Sequence, residues 1–238
     1  MTTEQENDNV SVTKKEPLTL QSLTNEIIKE SAEDIIFICN SLSPFFLYSP
    51  DSKEIAPILH AYMELEIDEA ALSWPFVDGA ICKDPLTSIK SALLQGDERI
   101  EDLTWEYKRL FVGPGIKAAP QWGSVYTDRE AVVFGESEIA LSRWMHLNNI
   151  EKLKDDRTPS DNFGEMLALC GMLCEQRPDL VGEFLKQHFL TWAGHFLDYM
   201  ESQTTDRFYK SVAQLTNTTL SGLAKCLKLQ ITYPKFYK

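Results

Sequence analysis

Four histidines, five cysteines and one serine in an unusual loop are the residues of this chain that could ligate a metal or attack a substrate, and their spacing decides what they can do. Cys170 and Cys174 lie four apart, which stacks them on one helix face instead of closing the tight C-x-x-C loop of a zinc site. With Cys39, Cys82 and Cys226 they form an odd set that matches no disulfide framework. Reduced, buried thiols are the expectation, and with them a cytoplasmic location. His188 and His195 are seven apart and share a helical face, but no further ligand stands at metal spacing. They are expected as polar-tipped core residues, while His60 and His146 are scattered. Ser124 sits in W-G-S-V, not in a G-x-S-x-G elbow, so no activated nucleophile is indicated. The chain holds no G-x-x-x-x-G-K-[ST] loop, no strand–G-x-G-x-x-G–helix unit and no H-E-x-x-H. These residues call for no catalytic step, no metal and no cofactor.

What remains is recognition. Acidic residues outnumber basic ones 36 to 23, for a net charge of −13. That excess argues against a nucleic-acid binder, which needs a basic surface. It suits a cationic partner, because opposite fields speed encounter; plain solubility is the alternative. No apolar run approaches the length of a membrane span, and MTTEQENDNVSVTKKE lacks a signal-peptide pattern.

The elements that must position these groups read as helices. Residues 1–20 are expected as a flexible tail, and 21–238 as one all-α, single-domain multi-helix bundle. Ile27, Ile28, Ile35, Ile36, Ile38 and Cys39 make an apolar stripe that stops at Ser43-Pro44. Residues 52–72 form a second helical stretch with a break expected at Pro57. Residues 74–84 read as a loop, and 86–95 as a short helix with Gly96 as its cap. Over 98–111, Ile100, Leu103, Tyr107, Leu110 and Phe111 share one face. Gly113, Pro114, Gly115, Pro120 and Gly123 then prevent a continuous helix over 112–129, a loop longer than a compact domain usually keeps without a purpose. It carries Trp122 and Tyr126. Helices are expected again over 136–148, from Phe163 on an amphipathic stripe, over 179–201 and over 206–228; residues 151–160 read as a charged linker.

Two segments go further: WEYKRLFVGPG at 105–115 and QWGSVYTDREAVVFGES at 121–137. In order and spacing, the R-L-F-V-G-P, W-G-S-V and D-R-E-x-V-x-F-G runs resemble the signature region of the TorD/DmsD family of redox-enzyme maturation chaperones, and E-x-A-L-x-x-W-M at 138–145 continues the match. A second family signature, P-x-D-H-F, corresponds to Pro159-Ser160-Asp161-Asn162-Phe163, with Asn162 in place of the histidine. The resemblance implies an all-helical, non-catalytic cytoplasmic protein. It also implies binding of the twin-arginine leader of a molybdenum-cofactor reductase precursor, with components of the Tat translocase as further partners. An assembly chaperone for a non-exported molybdoenzyme subunit and a guanine-nucleotide-binding switch stay open as alternatives.

A twin-arginine leader is cationic at its start and apolar after it. Its receptor needs carboxylates for bidentate pairing and an apolar groove. Under that reading Tyr107, Leu110, Phe111, Trp122 and Tyr126 are groove candidates, core packing being the alternative for the three on the helix. Asp161, with Asn162 beside it, is the foremost polar candidate, although either could simply cap the helix from Phe163, with Asn162 and Glu165 in a capping-box-like pair. Gly113, Pro114, Gly123, Asp128 and Gly135 are expected to shape the loop. Asp128 and Glu130 are secondary acids, and Asp128-Arg129 is a candidate internal ion pair.

Overall fold

The computed structural model describes residues 20–152 and 159–238, and within them thirteen α-helical segments follow one another without a strand. The expected tail lies outside the described residues except for Leu20, which opens α1 (Leu20–Glu30). Most of the charged linker, residues 153–158, also lies outside them. The first apolar stripe is divided between α1 and α2 (Ala32–Leu42), with Ser31 as the joint, and Pro44 opens the single-turn α3 (Pro44–Leu47).

The element at the centre is α10 (Phe163–Gln176). Phe163, Met166, Leu167, Cys170, Leu173 and Cys174 are buried as the stripe requires, and Gly164, Leu169 and Gly171 are buried as well. α10 is therefore enclosed on more than one side, and it packs chiefly on α2. Gly171 lets the two helices approach, since a methyl there would stand 3.0 Å from the Cys39 Cβ. The long amphipathic α13 (Arg207–Cys226) packs against α6 (Gly79–Leu93) and α12 (Ala193–Gln203). Four cysteines are buried thiols; Cys226, on the solvent face of α13, departs from the expectation.

Several boundaries differ from the sequence reading. Residues 74–84 are not all loop: α6 starts at Gly79, where Asp78 Oδ1 accepts the Ala80 N–H at 2.8 Å, and it runs on through Pro85. Burial of Cys82, Leu86, Ile89 and Leu93 outweighs the backbone hydrogen bond that proline forgoes. Gly96, at φ +93°, is instead the residue before α7 (Asp97–Tyr107). Pro57 breaks nothing. It sits in the first turn of α4 (Ala56–Glu64), where no donor is needed, and the chain turns at Leu65-Glu66 before α5 (Ile67–Ser73). The expected helix over 179–201 is α11 (Pro178–Phe184), a π-turn at Leu185–Phe189 and α12. The Leu190 N–H reaches the Leu185 carbonyl at 2.9 Å, which absorbs one extra residue without disturbing the apolar pattern.

Candidate functional site

The first signature segment is a latch followed by a turn. Glu106 is buried at the end of α7 and receives both guanidinium donors of Arg109 at 2.7 Å. It also accepts from Thr204 Oγ1 at 2.8 Å and from the Thr205 N–H at 3.1 Å. Burial alone would raise its pKa, but these bonds outweigh burial and hold it below the usual value. Arg109 further donates to the Gln203 carbonyl. The pair thus ties α7 to the connection between α12 and α13. The chain then widens into a π-turn, Lys108–Val112, closed by the Gly113 N–H on the Lys108 carbonyl at 2.8 Å. Gly113 is at φ +103°, a conformation that costs other residues about 1 kcal/mol or more.

From there the loop doubles back. Ala118 and Ala119 donate to the carbonyls of Arg109 and Leu110, so the orphan acceptors at the helix end are used. Gln121 Nε2 and Tyr107 Oη both donate to the Phe46 carbonyl, and Tyr126 Oη donates to the Pro120 carbonyl at 2.7 Å. The loop meets the start of α10 in an isolated antiparallel bridge between Trp122 and Asn162. Its two bonds run from the Gly123 N–H to the Asp161 carbonyl and from the Phe163 N–H to the Gln121 carbonyl. The two signature segments are therefore joined main chain to main chain.

Asp161 and Asp128 each cap a helix other than their own. Asp161 Oδ2 accepts from the Ser124 N–H at 2.7 Å, from Ser124 Oγ at 2.6 Å and from Ser137 Oγ at 2.9 Å. This places a carboxylate on the N-terminus of α8 (Gly123–Thr127). Its Oδ1 has no hydrogen-bond partner among the described residues, and the residue is 1% exposed. Burial raises its pKa against the Ser124 and Ser137 bonds, with the nearby Glu138 adding to the rise. Asp128 Oδ2 accepts the Glu136 N–H at 2.8 Å and so caps α9 (Glu136–Leu147), and among the described residues no ion pair with Arg129 takes the place of this cap. A Cβ on Gly135 would lie 1.3 Å from that oxygen, and a Cβ on Gly123 would overlap the Trp192 indole at 2.6 Å. Both glycines are there because another group fills the space. The helix from Phe163 is capped by Asn162, whose Oδ1 accepts the Glu165 N–H at 3.2 Å.

The expected residues lie at different depths. Tyr107, Leu110, Phe111 and Tyr126 are core residues, not an open groove wall. Tyr126 is fully buried, stacks on Trp192 and meets His195, Phe196 and Tyr199 edge-on, because the short α8 turns it inward. Trp122 is half-buried with Lys117 Nζ 5.0 Å above its ring. Asn162 is half-buried, and Asp161 is sealed below it.

What faces solvent is the segment between α8 and α9, which residue type alone did not single out. Val132, Val133 and Phe134 are each more than 40% exposed, and Ile139 on α9 is 60% exposed. Ala131 and Phe134 have positive φ, at 48° and 64°, so the backbone accepts strain to hold this shape. Glu130 and Glu136 are exposed on either side. An apolar trio would ordinarily read as core; the cue was its place between an Asp-Arg-Glu run and a glycine. His188, expected inward, lies against Trp144 at 5.1 Å, and its Nε2 has no partner among the described residues.

The family model described as nitrate reductase delta subunit matches residues 80–198, which spans α6 to α12 and every cap just described. The chain is 33% identical over 190 residues to the Tat proofreading chaperone DmsD of Salmonella typhimurium, covering 79% of this chain and 88% of the relative. A protein of the same name from Haemophilus influenzae is 33% identical over 197 residues, 83% of this chain and 93% of the relative. The chaperone protein TorD of Shewanella piezotolerans is 25% identical over 135 residues, 52% of this chain and 62% of the relative. This chain belongs to the TorD/DmsD family of redox-enzyme maturation chaperones. Of these relatives, the two DmsD proteins match over more of the chain than the TorD protein does. No described helix is long and apolar enough to cross a membrane.

Proposed function

We propose that this protein binds the twin-arginine leader of a molybdenum-cofactor reductase precursor of the dimethyl sulfoxide reductase type. It does so in the cytoplasm and holds the precursor from the Tat translocase until it is folded and loaded. The observation that carries this reading is the surface of residues 128–139. It sets the carboxylates of Glu130 and Glu136 beside the unburied Val132, Val133, Phe134 and Ile139. A cationic, then apolar, peptide finds both halves of its complement there. Trp122 and Asn162 border the site. Tyr107, Leu110, Phe111 and Tyr126 support it from below, and Asp161 acts as a positioning residue through Ser124 and Ser137.

Calorimetric titration with a synthetic leader tests the proposal without added nucleotide or metal. Micromolar or tighter binding is expected, with Glu130→Gln/Glu136→Gln weakening the arginine-containing leader more than one in which both arginines are glutamine. Trp122→Ala should cost about 1–3 kcal/mol of binding, as an aromatic anchor does. Equal loss for both leaders would remove the acidic half of the assignment.

A further inference from the structure

After α13 the chain runs on as an extended strap, residues 229–238, with no secondary structure of its own. The strap returns to the candidate site. The Tyr237 N–H donates to the Tyr126 carbonyl at 2.9 Å, on α8. Phe236 stacks face to face on the His195 ring, with centroids 3.9 Å apart and planes 3° off parallel. The Lys238 carbonyl is 2.6 Å from His195 Nε2, and Lys238 Nζ stands over the Tyr199 ring at 5.5 Å. Tyr126, His195 and Tyr199 thus form the floor on which the strap lies.

The composition of the strap is as telling as its path. Residues 229–238, LQITYPKFYK, carry two lysines and no acidic side chain in a chain whose net charge is −13. Leu229, Ile231 and Phe236 pack on the body, while Tyr233 and Tyr237 stay 64% and 46% exposed. A cationic and apolar extended segment is the same chemical class as the proposed leader. It is held by one main-chain bond where it crosses α8, by the Lys238 carbonyl against His195 Nε2, and by a few ring contacts. Such a segment can be displaced without unfolding a helix.

We infer that residues 233–238 cover a peptide-binding floor made by Tyr126, His195 and Tyr199, and that a cationic, apolar leader takes their place. This rests on the leader-binding reading and adds to it a second stretch of the binding surface and a means of control. A cover that is closed most of the time lowers the apparent affinity by the fraction of open molecules. It also shields the aromatic floor while no client is present.

The full-length protein supplies the test. Hydrogen exchange is followed at the Tyr237 amide, free and saturated with a synthetic peptide of two consecutive arginines followed by an apolar run. The amide is expected to lose its protection on saturation. In parallel, Tyr237→Pro removes the donor to Tyr126 while keeping an extended backbone. It should bind the same peptide about five- to twentyfold tighter than wild type, with an unchanged melting temperature. Retained protection at saturation, or equal affinities, would overturn the cover while leaving leader binding intact. Failure of the peptide to bind either protein would bring down the leader reading and this inference together.

Discussion

Asp161 carries a charge that its surroundings oppose. Burial raises its pKa, and only one of its oxygens is repaid with hydrogen bonds. A carboxyl whose folded pKa is raised adds stability below its unfolded value of 3.8, and that contribution is lost as pH rises through the folded value. Asp161→Asn keeps an acceptor for Ser124 and Ser137 but removes the ionisation. The melting temperature of wild type should therefore fall relative to Asp161→Asn as pH is raised from about 4 towards neutrality. Thermal scans across that range check it, and parallel curves would show that Asp161 ionises without penalty. Asn162, by contrast, is spent on its own helix. Its amide makes a neutral cap with no ionisation of its own.

Among the elements, the Glu106–Arg109 latch is the joint with the most at stake. Arg109→Ala would leave a buried carboxylate with only the Thr204 and Thr205 donors. The expected cost is about 2 kcal/mol, in the range of charged hydrogen bonds, and Glu106→Gln/Arg109→Ala should recover part of it. Chemical denaturation of both variants measures this, and an unchanged midpoint for Arg109→Ala would make the latch a surface pair. This joint also shows what a single sequence can display. The stripes of α7, α10 and α13 were legible because burial repeats at helical spacing within each. Pro85 hid the first two turns of α6 because tertiary burial overrode a local veto. The π-turns at 108–112 and 185–189 were invisible, since the single extra residue in each shifts the apolar pattern by one position, which a broad stripe tolerates. The site was legible as a region and illegible in depth. Tyr126 and Asp161 look available in the sequence, and only the folded chain shows Tyr126 among four aromatic neighbours and Asp161 under Asn162. Val132, Val133 and Phe134 err the other way, as apolar residues that stay outside.

At the scale of the molecule, charge should govern how quickly a partner arrives. A net −13 acting on a cationic leader steers encounter over distances that salt screens within about 10 Å at 0.1 M. The association rate for the leader should drop severalfold between roughly 0.05 and 0.5 M salt, with a much smaller change in the dissociation rate, which apolar contacts set. Stopped-flow fluorescence with a dye-labelled leader separates the two. A salt effect confined to dissociation would mean that the acids act only in contact.

The carboxylate that seats on α8 lies 37 positions further along the chain than the serine it holds. On a ribosome adding about 5–20 residues per second, the recognisable segment is made roughly 2–7 seconds before its brace exists. For that interval it has its own turn contacts but lacks the carboxylate that seats α8. The portion of the protein easiest to recognise by eye is thus among the last to acquire form, and transplanting it alone into another scaffold would carry over the letters without the site.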